Sequence, residues 1–98
     1  MSKASVERRL RQVADRLRQL REELGVTDEQ LVHLADAADD ARLRALVSET
    51  PVAGEDHRHA ARHAEAMRRH REHVAEEIER LERSQDELLD QFVAESRD

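Results

Sequence analysis

Apolar residues recur along this chain at alternating intervals of three and four, the pattern of a helix that buries one narrow stripe. Val6, Leu10, Val13, Leu17, Leu20 and Leu24 keep that rhythm, with Arg and Glu filling most positions between them. The same phase resumes at Leu31, Leu34, Ala38, Ala41 and Ala45. Farther on, Ala60, Ala64, Met67, Arg71, Val74, Ile78, Leu81, Gln85, Leu88 and Phe92 repeat it. Arg71 and Gln85 are polar residues at seam positions. A polar residue there fixes register or oligomer state at some cost in stability, and that role is expected of both.

Two interruptions divide the pattern. Gly25 follows Leu24 as a helix C-terminal cap would. Thr27 and Gln30 have the spacing of a capping box, with Val26 and Leu31 placed as its hydrophobic staple. Asp28 and Glu29 put negative charge where a helix N-terminus favours it. A break or kink at 25–27 is therefore predicted. Because the apolar phase continues across it, the two pieces are expected to run on roughly collinearly; a full turn there would give a three-helix bundle instead. The second interruption, residues 49–54, holds the only proline, Pro51, and the second glycine, Gly54. Helix should stop before Pro51, since the residue preceding a proline avoids the α region.

These limits give one helical arm over about 4–48, a turn at 49–54 and a second arm over about 55–95. An arm of roughly 40 residues is about 60 Å long. Two arms of similar length joined by a short turn predict an all-α fold, a long antiparallel coiled-coil hairpin forming a single domain over 1–98. Charge supports that orientation. Residues 1–24 carry seven positive and four negative side chains, and 25–56 carry two and eight. Residues 57–73 carry five and two, and 74–98 carry three and nine. Folding about residues 51–52 sets positive blocks beside negative ones, whereas a parallel alignment sets like on like. Each exposed pair is worth only about 0.3–0.5 kcal/mol, but many of one sense select a direction. The small seam residues Ala38, Ala41 and Ala45 would face Ala60 and Ala64 near the turn. Leu10, Leu17 and Leu24 would face Ile78, Leu81 and Leu88 toward the open end.

Composition narrows the picture further. Charged residues make up 41% of the chain and Phe92 is the one aromatic residue, so no thick core can be filled and only a thin seam is possible. There is no cysteine, which excludes disulfides and thiol chemistry. No apolar run approaches the roughly 20 residues that span a bilayer, and the N-terminus lacks an apolar signal core. A cytoplasmic location away from membranes is expected. The net charge of −6 argues against general nucleic-acid binding.

Candidate chemistry is sparse. Five of six histidines, His57, His59, His63, His70 and His73, fall within 17 residues, and the sixth is His33. His59 and His63, four apart on one helical face, could share a metal ion, with Asp56 adding a carboxylate. The plainer expectation is an exposed basic helix without a metal or cofactor, in which His alternates with Arg58, Arg62, Arg68, Arg69 and Arg71. Unperturbed histidine titrates near 6.5. Protonation would set a strongly positive 57–73 against the acidic 28–40 and tighten the hairpin as pH falls. Helix content and melting temperature both unchanged between about pH 7.5 and 5.5 would rule that hypothesis out. Asp36, Asp39, Asp40, Glu49, Glu55 and Asp56 read as a solvated acidic face complementary to the basic helix, with a Mg²⁺-binding or protein-docking tip as the alternative. Paired carboxylates act as acid and base only in a pocket that shifts their pKa values, and neither a nucleophile elbow nor a phosphate-binding loop is present. An enzyme is not expected.

Leu43, Leu46, Val47, Leu89 and Val93 are apolar but lie off the seam. They are the candidate interaction residues, either for a second copy, giving a four-helix homodimer, or for an unknown protein partner. The expected function is a small cytoplasmic protein–protein interaction module, a regulator docking on a partner such as a transcription component. The alternative is a metal- or pH-responsive sensor built on 57–73. In architecture the hairpin resembles the coiled-coil arm of bacterial transcript-cleavage factors, through its shape and the acidity of 49–56; no tip motif of theirs is present. It also resembles two-helix anti-sigma proteins that bind a cyclic dinucleotide, without their spaced Glu, Ser, Arg, Gln, Asp signature. These likenesses concern architecture alone.

Overall fold

The computed structural model describes residues 1–97, in which α1 spans Lys3–Ser48 and α2 spans Pro51–Glu95. Among the described residues there is no strand, and the fold is an all-α helical hairpin.

The reversal between the helices takes two residues, Glu49 and Thr50, rather than the expected 49–54. Each has a definite backbone task. Glu49 adopts φ 53°, the left-handed conformation that ends many helices, while its amide still donates to Ala45 O at 3.1 Å. Ser48 Oγ donates to Arg44 O at 2.6 Å in the same last turn. Thr50 then caps α2: its Oγ1 accepts from the Ala53 amide at 3.2 Å, and its carbonyl accepts from the Gly54 amide at 3.1 Å. Pro51 is the first helical residue, where its missing N–H would have had no helical partner anyway. The proline that seemed to mark a loop thus starts a helix. Arm 2 begins at Pro51, not near residue 55.

The break expected at 25–27 does not occur, because α1 runs through it uninterrupted. Gly25 keeps a negative φ and caps nothing. Thr27 is buried, with 3% of its surface exposed, and Val26 is exposed. The reason lies in the stripe itself: Thr27 falls three residues after Leu24 and four before Leu31, so it is a seam residue. Burying that face outweighs the local capping pattern, and the three-helix alternative disappears with the turn it required.

The two helices build two packing units. In the first, residues 1–23 lie antiparallel to 74–97. Val6, Val13, Leu17 and Leu20 are buried there together with Val74, Ile78 and Leu88. Leu10, Leu81, Gln85 and Phe92 are half-buried on the same seam. Arg16 pairs with Glu77 at 3.3 Å and Arg21 with Glu82 at 3.5 Å, each joining the positive N-terminal block to the acidic C-terminal one. Lys3 Nζ sits 5.2 Å from the centroid of Phe92, a cation over an aromatic face.

The second unit covers residues 24–73 and includes the turn. Thr27, Ala41 and Ala64 are buried in it. Leu24, Leu31, Leu34, Ala38, Ala45, Ala60, Met67 and Arg71 are half-buried, as are Ala53 and His57, which extend the α2 stripe back to the turn. Arg71 Nε donates to the Asp28 carboxylate, again joining a positive block to a negative one. The buried positions here, Thr27, Ala41 and Ala64, carry small side chains, where the first unit buries Val, Leu and Ile.

Candidate interaction surface

Because α1 turns its 3–4 stripe toward α2, the residues halfway round the helix face outward. Leu43, Leu46 and Val47 occupy that outer side in the last two turns of α1, and none is covered by the chain. They expose 60%, 62% and 85% of their surfaces. Val52, in the first turn of α2, exposes 68%.

The turn draws most of these residues to one place. Leu43, Val47, Val52 and Ala53 line an open concavity of about 450 Å³, with Arg44, Ser48, Thr50 and Asp56 also on its wall. Among the described residues, neither Arg44 nor Asp56 forms an ion pair within the chain. The surface is thus an apolar centre bordered by one unengaged cation and one unengaged anion. Leu46 is exposed beside it but does not line it. Leu89 and Val93 belong to the other unit and are exposed at 46% and 51%.

Val52 was missed in the sequence because 49–54 read as a loop. The signal was present: Thr-Pro is a capping residue followed by a favoured first helical residue, which puts Val52 on a helix rather than in a turn.

The histidines occupy both helices. His59 and His63 stack, with ring centroids 6.5 Å apart and planes 16° from parallel. Imidazole lone pairs lie in the ring plane, so stacked rings aim theirs side by side instead of at one point. Asp56 lines the turn concavity. Among the described residues no group of three or more His, Cys, Asp or Glu side chains is placed to hold a metal ion. His63 instead shares a concavity of about 270 Å³ with His33 of α1, together with Gln30, Leu34 and Met67. Among the described residues, Arg71 is the group whose titration is visibly perturbed. Its pKa is raised by the hydrogen bond and charge of Asp28, against a small opposing effect of desolvation.

Among the described residues, no helix is long and apolar enough to cross a membrane. In comparisons with known protein families, curated proteins and solved structures, the chain matches none.

Proposed function

We propose that this chain is a small cytoplasmic protein–protein interaction module that associates with a second copy of itself through the turn end of the hairpin. The observation that carries this reading is the exposure of Leu43, Val47 and Val52 around one apolar concavity, with Arg44 and Asp56 on its wall. A two-fold interface must be self-complementary, with each residue meeting a counterpart from the same patch. A patch holding both an unengaged cation and an unengaged anion meets that condition. A two-fold dimer that pairs Arg44 of each copy with Asp56 of the other would bring the apolar centres together. A two-helix hairpin also buries little surface per residue, so association adds burial that the single chain lacks.

Light scattering and sedimentation test this reading. The native chain is expected to run as a dimer, and Val47→Asp as a monomer of unchanged helix content. Arg44→Asp alone should weaken the dimer, and adding Asp56→Arg should restore it. A native chain that stays monomeric at every accessible concentration would remove the second copy as partner. Dimers indifferent to Val47→Asp would remove the turn end as the surface.

A further inference from the structure

We propose that the cleft between the helices near residues 33 and 63 is a binding site for a soft monovalent metal ion, Cu(I), with His33, His63 and Met67 as its ligands. The hairpin creates this grouping. In sequence His33 stands apart from the other histidines, yet it lines one concavity of about 270 Å³ with His63 and Met67 of α2. His63 and Met67 are four residues apart, so they project from the same face of α2 one turn from each other. His33 comes from the opposite helix, which gives the set a donor on each side of the cleft.

The chemistry of the donors selects the ion. With both imidazoles bound as neutral ligands the set is uncharged, and the thioether is its soft donor. Thioether sulfur favours Cu(I), whereas Ca²⁺, Mg²⁺ and Mn²⁺ require oxygen donors. No carboxylate lines the cleft, and its one side-chain oxygen belongs to the Gln30 amide. Zn²⁺ in a closed site takes four strong donors from Cys, His and carboxylate, one more than this set provides even with the weak thioether counted. The imidazoles are also available. Among the described residues, His33 and His63 make no hydrogen bond within the chain, and the His63 ring stacks on that of His59. Stacking leaves the in-plane nitrogens of His63 unoccupied. Met67 is half-buried on the seam while both histidines are exposed, so the cleft is open to an ion from solvent.

The position of His33 makes the inference testable against its obvious rival, loose binding by the histidine-rich segment 57–73. The experiment is an anaerobic titration of the full chain with Cu(I) against a chromophoric copper chelator, with a parallel Zn²⁺ arm and helix content followed throughout. The native chain should withdraw one equivalent of Cu(I) and show copper–sulfur scattering in X-ray absorption. His33→Ala, on an exposed site of the other helix, should lower Cu(I) affinity at least about tenfold. Met67→Leu, which preserves seam volume, should lower Cu(I) affinity and abolish the sulfur scattering while leaving weak Zn²⁺ binding unchanged. Copper uptake indifferent to His33→Ala would assign the metal to 57–73 alone and overturn the proposal, as would uptake indifferent to Met67→Leu. A native chain that takes no copper from the chelator, or that binds Zn²⁺ more tightly than Cu(I), would overturn it equally.

Discussion

The guanidinium of Arg71, at a position on the α2 stripe where the pattern calls for an apolar side chain, reaches across the hairpin to the carboxylate of Asp28. Asp28 follows Thr27, the one buried polar residue of the seam among the described residues. The Arg71 and Asp28 side chains both stay partly solvated, which lets a charge sit at a seam position without the penalty of full burial. Moving either residue one turn along its helix would separate the charges, and this is how a polar seam residue selects one register.

A charge-swap cycle measures that coupling. Arg71→Asp should lower the melting temperature by placing like charges together, and Asp28→Arg should do the same. The double swap should recover much of the loss, and purely additive effects would show that the pair does not select the register. The pKa of Arg71 is raised in the folded state, so its contribution is fully present below the unfolded value and is lost only as pH rises through the folded one. Both lie in strongly alkaline solution, so the coupling should be the same at about pH 7 and pH 9.

The uninterrupted course of α1 predicts the effect of removing its glycine. Gly25 is exposed, helical and without a positive φ, and a Cβ there would meet nothing within 4 Å. Gly25→Ala should therefore stabilise the chain by about 0.5–1 kcal/mol, read from denaturant unfolding. A left-handed cap at Gly25 would make the same substitution destabilising, so the sign decides between a continuous helix and a broken one.

At the turn the opposite substitution should help. Glu49 holds φ 53°, a conformation that costs an L-residue roughly 1–2 kcal/mol and glycine almost nothing. Glu49→Gly should raise stability by about 1 kcal/mol. Thr50→Ala, which removes the acceptor for the Ala53 amide, should lower it by about 1 kcal/mol. Thermal melts of both variants check the two signs together.

Seam leucines should not be equivalent. Leu17 is 1% exposed, whereas Leu81 is half-buried and lines an open groove with Arg9, Gln12, Val13 and Arg16. Leu17→Ala should cost about 2–4 kcal/mol and Leu81→Ala clearly less, because a groove open to water leaves less of a cavity behind. Equal losses would mean that Leu81 is covered in solution, by a partner or by a second copy.

The 3–4 stripe determined most of the architecture by itself. A helix that buries so narrow a face needs one partner helix, and Ala41, Ala64, Val74 and Ile78 are buried where that periodicity puts them. Alternating charge blocks agree with the antiparallel direction, and the pairs Arg16–Glu77, Arg21–Glu82 and Arg71–Asp28 follow them. Local signals were less reliable, since Gly25, Thr27, Pro51 and Gly54 each read as breakers or caps. Only packing decides such cases: a continuous buried face carries α1 through Gly25, and a two-residue reversal turns Pro51 from a stop into a start. Tertiary structure alone also graded the seam. In α1, Val6, Val13, Leu20, Thr27 and Ala41 are buried at multiples of seven residues, while most positions between them are half-covered. A single partner helix shields one side of the stripe better than the other, and a repeat of threes and fours does not say which. The meeting of His33 with His63, and of Leu43 and Val47 with Val52, likewise required the fold, because the residues in each set come from helices that run in opposite directions.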